Sequence, residues 1–182
     1  MKYWYALFVE SNQEEMVLKH LNLHFDSSVL NAVVPKRRVP EKKNGKIQHV
    51  IKKLFPGYVL INCRLTDEIY YIIKRIPRCY RIVHNGNSFN NEECKIEPQE
   101  IEPIIKLLGD RDTLEYSSVY LVNSKVLVTS GPLKGLEGII KKVDSRKNRA
   151  KIALNFLGNE KLVDVGVEII HKLNLRSYEP SN

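Results

Sequence analysis

The sequence predicts an α+β protein: an N-terminal α/β sandwich, with helices on a mainly antiparallel sheet, followed by a small five-stranded β-barrel. Three observations carry this prediction. Up to Gly109, strand-like apolar runs alternate with segments whose apolar residues recur at helical spacing. From Lys125 onward only short strand patterns separated by glycine turns remain, as in small barrels. Between them, residues 110–121 are charged and polar with scattered aromatics and read as a linker. A chain of 182 residues suits one medium domain and one small one. The boundaries that follow are 1–109, a linker 110–121, a barrel 122–175 and a tail 176–182.

The first strand is Lys2 to Val9, rich in aromatic and β-branched residues. Ser11 with Glu14 three residues on forms a capping-box pattern that opens a helix ending near Phe25. Val29 to Pro35 is a second strand. A basic stretch follows: Lys36, Arg37, Arg38, Lys42, Lys43, Lys46, Lys52 and Lys53, opposed only by Glu41. Pro40 and Asn44-Gly45 mark a turn there, giving a β-hairpin or a mobile loop. After Pro56-Gly57, Tyr58 to Ile61 is an apolar strand. Asp67 begins a second helix with Ile69, Ile72, Ile73 and Ile76 as its stripe, stopped by Pro77. Tyr80 to His84 is a strand closed by Asn85-Gly86-Asn87. Pro98 starts a third helix, lined by Ile101, Ile104, Ile105 and Leu108 and capped by Gly109.

In the barrel, Lys125 to Thr129 is a strand and Gly131-Pro132 a tight turn. Leu136 to Val143, Lys151 to Phe156, Leu162 to Val165 and Glu168 to His171 are the further strands. Asp144 to Arg149 is a polar turn. Gly138 falls inside a strand and marks a bulge or a close backbone approach.

Composition narrows the function classes. With 43% hydrophobic residues, the chain has enough apolar material for real cores. A net charge of +8 favours polyanionic partners. No apolar run approaches the ~20 residues that span a bilayer, and no signal-peptide cleavage pattern follows the first strand. This predicts a cytoplasmic protein with no membrane partner. Cys63, Cys79 and Cys94 are odd in number and widely spaced, with no CxxC, which predicts reduced thiols and no zinc site. The histidines at 20, 24, 49, 84 and 171 are scattered, and no nucleophile, zincin, P-loop or paired-carboxylate motif occurs. The prediction is a monomeric binding protein without enzymatic activity, cofactor or metal.

Two segments resemble a known family when taken together. Lys53-Leu54-Phe55-Pro56-Gly57-Tyr58-Val59-Leu60-Ile61, preceded by Trp4-Tyr5 in the first strand, is similar to the signature of the NusG N-terminal (NGN) domain. Val126-Leu127-Val128-Thr129-Ser130-Gly131-Pro132-Leu133-Lys134-Gly135-Leu136-Glu137-Gly138-Ile139-Ile140 looks like a KOW motif, which forms an SH3-like barrel. The resemblance covers nearly the whole chain and implies a transcription elongation factor. By similarity, Phe55, Pro56 and Tyr58 line a pocket for the clamp helices of the largest RNA polymerase subunit. Trp4 or Tyr5 and the Ile76-Pro77-Arg78 corner lie nearby.

The resemblance places Lys36, Arg37 and Arg38 beside the DNA of the transcription bubble, contacting phosphates without reading bases. In the barrel, Lys134, Lys141, Lys142, Arg146, Lys147, Arg149 and Lys151 meet only Glu137 and Asp144 in opposition, which favours RNA phosphates. In NusG the barrel instead offers a hydrophobic loop to the termination factor Rho or to a ribosomal protein; the matching position is Phe156-Leu157-Gly158. Val34 to Lys42 and Ser130 to Gly135 look more like the LoaP subfamily, which implies processive antitermination and binding of a nascent RNA hairpin by the KOW domain.

Overall fold

The computed structural model of the chain describes residues 1–83, 94–122 and 125–170. Its N-terminal half contains β1 (Tyr3–Val9), α1 (Glu14–His24), β2 (Leu30–Val33), β3 (Lys36–Lys43), β4 (Lys46–Lys53), β5 (Tyr58–Cys63), α2 (Asp67–Arg75), β6 (Cys79–Ile82) and α3 (Pro98–Leu108). Four strands form an antiparallel sheet in the order β2-β5-β1-β6. The expected end of the last strand at His84 and the Asn85-Gly86-Asn87 turn fall outside the described residues.

Strand β1 is apolar at most positions because it serves two cores. Successive side chains on a strand point to opposite faces. Tyr5, Leu7 and Val9 join Val59 and Ile61 of β5, Val17 and Leu21 of α1, and Ile69 and Ile73 of α2 in one buried cluster. Ala6 and Leu60 join Ile101, Ile104 and Leu107 of α3 in the other, with Trp4 packed against it. Helix α2 opens on Thr66, whose hydroxyl accepts the Ile69 N–H at 3.4 Å. Helix α3 ends at Gly109 with φ +59.

Helix α1 does not use the expected capping box. Gln13 occupies the cap position and no side chain caps the helix. The Glu14 carboxylate is 1% exposed and points elsewhere: it accepts the Gly57 N–H at 2.7 Å and pairs with Lys53 Nζ at 2.9 Å. Burial pushes this carboxyl up, but the Gly57 and Lys53 bonds outweigh it and hold it below its ordinary value of 4.5. A depressed carboxyl stabilises the fold above its unfolded pKa, and that contribution is lost as pH falls below about 4.5 through the lower folded value. Glu14→Ala strands a buried amide and a lysine, and should cost about 2 kcal/mol or more at neutral pH. Denaturant melts of both proteins at pH 7 and at acid pH should show that gap shrinking.

The basic stretch is a β-hairpin. Strands β3 and β4 pair antiparallel from Lys36↔Lys53 to Lys43↔Lys46, closed by Asn44 and Gly45 with φ +51 and +78. That is the two-residue turn the sequence favours. Pro40 is not a turn residue: it sits within β3 opposite His49. A short strand, β7 (Thr113–Leu114), adds parallel to Lys36 and Arg37 on the other side of β3.

The barrel comprises β8 (Ser117–Val122), β9 (Lys125–Ser130), β10 (Ile140–Asp144), β11 (Arg149–Phe156) and β12 (Asn159–Ile170), in the order β10-β11-β12-β8-β9. Five strands were expected, but three expectations about them fail. Leu162–Val165 and the segment from Glu168 are not separate strands; β12 runs through Gly166 without a break, to Ile170, and the expected end at His171 lies outside the described residues. The fifth strand is β8, inside the stretch that reads as linker, and it pairs in parallel with β12 from Ser117↔Val167 to Tyr120↔Ile170. Gly138 lies in a 3-10 turn, Glu137–Ile139, rather than in a strand. Gly131 has φ +90, and a Cβ there would lie 2.6 Å from Ser117 Cα. It therefore lets the turn close against the start of β8. Buried Ser117 completes the corner by accepting the Leu133 N–H at 2.9 Å.

Candidate functional site

The Pro56-Gly57 turn sets the aromatic site. The Val9 N–H donates to the Gly57 carbonyl at 2.9 Å while Glu14 holds the Gly57 N–H. This fixes Phe55 and Tyr58 on the α3 side of the sheet, in the layer that Trp4 packs against. The barrel covers them. Phe55, only 4% exposed, stacks on Phe156 of β11 with centroids 4.1 Å apart and planes 14° from parallel. Tyr58 meets the same ring edge-on at 5.3 Å. Phe8, next to Tyr58 in the sheet, continues the aromatic row at 5.7 Å. Polar contacts fasten the halves around this stack. Arg37 donates to the Asp164 carbonyl, Arg149 Nε to the Pro40 carbonyl at 2.9 Å, and the Gly158 N–H to Glu100 Oε1 at 2.8 Å.

The eight residues grouped by resemblance into one pocket do not all share this face. Trp4, Phe55 and Tyr58 do, and Pro56 is exposed beside them. Tyr5 is 2% exposed in the α1–α2 core, because neighbouring strand residues face opposite ways. Ile76 belongs to that same core. Pro77 and Arg78 are exposed, with Arg78 paired to Glu10 at 2.8 Å. Phe156 is not displayed on a loop: it is 1% exposed beneath Phe55, while Leu157, with φ +51, is partly open at the turn and Gly158 is exposed.

The cations divide into two groups. Lys36, Arg37 and Arg38 hold the fold. Lys36 pairs with Asp112 at 2.7 Å and Glu15 at 3.1 Å. Burial alone would lower the Lys36 ammonium, but these carboxylates hold it above its ordinary 10.5. Arg37 is half-buried and donates to backbone carbonyls of Asp164 and Lys53. Arg38 pairs with Glu115 at 2.8 Å. Their use as phosphate contacts would require giving up these partners.

The β10–β11 turn carries the other group. Lys142 and Arg146 are exposed with no carboxylate in salt-bridge reach among the described residues. Among the described residues Lys141, Lys147 and Lys151 have only long exposed pairs, 3.8 Å each, to Glu160, Asp144 and Asp164. Such pairs are worth little and exchange readily. Lys142, Lys147, Arg149 and Lys151 line one cavity of about 230 Å³ with Asp144 and Asp164. Lys134 lies apart, in the turn against α3, where a Cβ on Gly135 would sit 3.6 Å from Lys106 Nζ.

Among the described residues no group of three or more His, Cys, Asp or Glu side chains could hold a metal. Burial pushes the Cys63 and Cys79 thiols up to about 11, which keeps them unreactive at neutral pH. No helix of the described residues is long and apolar enough to cross a membrane.

The fold defines a two-module protein in which an N-terminal sheet-and-helix domain carries a small five-stranded barrel. The family description "Transcription termination factor nusG" matches residues 2–105, and "KOW motif" matches residues 122–152. The chain is 30% identical over 177 residues to the transcription termination/antitermination protein NusG of Bacillus subtilis, covering 94% of this chain and 99% of that one. The protein of the same description from Staphylococcus aureus is 28% identical over 178 residues, covering 94% and 96%. A solved structure described as "Domain interaction in Thermotoga maritima NusG" has the same fold, with TM-score 0.57 and 23% identity over 91% of this chain and 94% of that one. The chain belongs to the NusG family of transcription termination/antitermination factors.

Proposed function

We propose that this protein is a processive antitermination factor of the LoaP kind. Its N-terminal aromatic face captures the clamp helices of the largest RNA polymerase subunit, while its barrel contacts nascent RNA. The observation that carries the reading is the Trp4, Phe55 and Tyr58 face, capped by one aromatic side chain of the barrel. Aromatic anchors dominate protein interfaces, and an apolar face of this kind needs a cover. Polymerase capture exchanges one cover, Phe156, for another, a helix tip. Pro56 already lies exposed at the rim to receive it.

The RNA assignment is supported by the exposed cations of the β10–β11 turn, gathered at one barrel end by its short connection. Phosphate contacts of this type make affinity fall with salt. Alanine at Lys141, Lys142, Arg146 and Lys147 together should flatten the plot of log affinity against log salt by roughly 0.7–0.9 per lost contact. Filter binding of an RNA hairpin across a salt series reads this directly. A second reading has the barrel recruit Rho or a ribosomal protein through Phe156-Leu157, and the partly open Leu157 at the turn favours it. Unchanged RNA binding in the four-alanine protein, with partner binding lost in Leu157→Ala, would select that reading.

A further inference from the structure

We propose that the cleft between the β3–β4 hairpin and the β10–β11 turn is a composite site for a nucleic-acid phosphodiester backbone, and that strand binding there holds the two halves together. The proposal rests on the reading that the barrel turn binds nucleic acid, and adds that half of the site belongs to the other domain. A cavity of about 320 Å³ lies between Lys42, Ile47 and Pro40 of the hairpin and Arg146, Lys147 and Arg149 of the barrel. The cavity of about 230 Å³ described above shares Lys147 and Arg149 with it. The two adjoin at these shared side chains, and together they make a track that carries cations from both halves.

The charges are not cancelled locally. Among the described residues the carboxylates on the track are Glu41, Asp144 and Asp164. Glu41 is already engaged by Lys52 and, at 3.7 Å, by Arg149. Asp144 accepts the Lys147 N–H at 3.1 Å, and Asp164 pairs with Lys151 at 3.8 Å. Lys42 on one wall and Arg146 on the other have no carboxylate partner among the described residues. Like charges facing each other across a cleft repel, and an anion between them removes that cost. Among the described residues no aromatic side chain lines either cavity, so the track lacks the anchors of a protein-docking groove. An elongated row of cations without anchors suits a polymer of regularly spaced phosphates.

Because Lys42 and Arg146 come from different halves, a strand touching both binds only the packed form. Linkage then requires that the strand stabilise packing and oppose exposure of Phe55. A strand that spans both walls of this cleft and polymerase on the aromatic face are therefore antagonists, and the polymerase-bound protein holds RNA through the barrel cations alone.

The test uses the full chain with a labelled RNA hairpin, a DNA duplex of equal length, and polyglutamate as a non-nucleic polyanion. Hydrogen exchange at residues 54–60 reports exposure of the aromatic face. With nucleic acid at ten times its Kd, exchange there should slow about tenfold. Lys42→Ala should flatten the salt dependence by about 0.7–0.9. The same substitution should have no effect in a Phe156→Ala background, where the halves come apart. The tighter of the RNA and DNA arms names the source of the backbone. Binding that depends on Arg146 and Lys147 but not on Lys42, with exchange at 54–60 unchanged or faster, overturns the composite site and leaves barrel binding intact. Displacement of RNA by polyglutamate at equal charge concentration also overturns it. Failure to bind any nucleic acid overturns both this inference and the reading beneath it.

Discussion

Replacing Phe55 by alanine should weaken binding to transcribing RNA polymerase by about 2 kcal/mol or more, roughly thirtyfold. The ring lies at the centre of the aromatic face, stacked at 4.1 Å on Phe156 and grouped with Trp4 and Tyr58. The sign of the effect separates two roles for it. If Phe55 only holds the barrel in place, its removal loosens packing, uncovers the face and strengthens polymerase binding. If it is the anchor, binding weakens although the face is easier to reach. Fluorescence titration of elongation complexes with the wild-type and Phe55→Ala proteins decides this, with melting curves confirming that the variant folds. An affinity equal to or above wild type would remove Phe55 from the polymerase contact.

The second large effect is at Phe156. This side chain is 1% exposed and touches both Phe55 and Tyr58, so alanine leaves a cavity between the halves. Deletion of a buried phenyl ring costs about 3–5 kcal/mol. Part of that cost should fall on the barrel and part on the contact between halves. The expected result is lower stability, faster hydrogen exchange at residues 54–60, and tighter polymerase binding, opposite to Phe55→Ala. Weakened polymerase binding with the N-terminal half still folded would instead make Phe156 part of the captured surface.

Local grammar made much of this fold readable. Asn44-Gly45 announces the hairpin, Pro98 and Gly109 bracket α3, and the isoleucines of α2 mark its buried side. What could not be read depends on partners distant in sequence. Strand β8 is polar at Ser117 and Ser118 and pairs in parallel with residues about fifty positions away, so no neighbouring turn signals it. Gly166 looks like a break, yet it sits in an extended strand where a Cβ would meet the Tyr116 ring at 2.6 Å. The run Lys36-Arg37-Arg38 looks like a free cationic patch. Its partners, Glu15, Asp112, Glu115 and the Asp164 carbonyl, come from three other segments. Those acids in the apparent linker were the one available hint. The burial of Glu14 had none, since a capping box explains the same residue equally well.

For the candidate site, the motif Leu54-Phe55-Pro56-Gly57-Tyr58 was visible in the sequence, but the direction of each side chain was not. Strand alternation sends Tyr5 away from Trp4, and the end of α2 sends Ile76 into the opposite core. The stack of Phe55 on Phe156 joins residues about a hundred positions apart, which no local pattern encodes.

Site-specific photo-crosslinking from residue 56 gives the most direct test. Pro56 is exposed at the rim of the aromatic face, so a crosslinking side chain there should leave the fold intact. Irradiation with transcribing polymerase should yield one dominant adduct, on the coiled-coil helices of the largest subunit. No adduct at low ionic strength, or adducts only on other subunits, would rule out capture of those helices by the aromatic face.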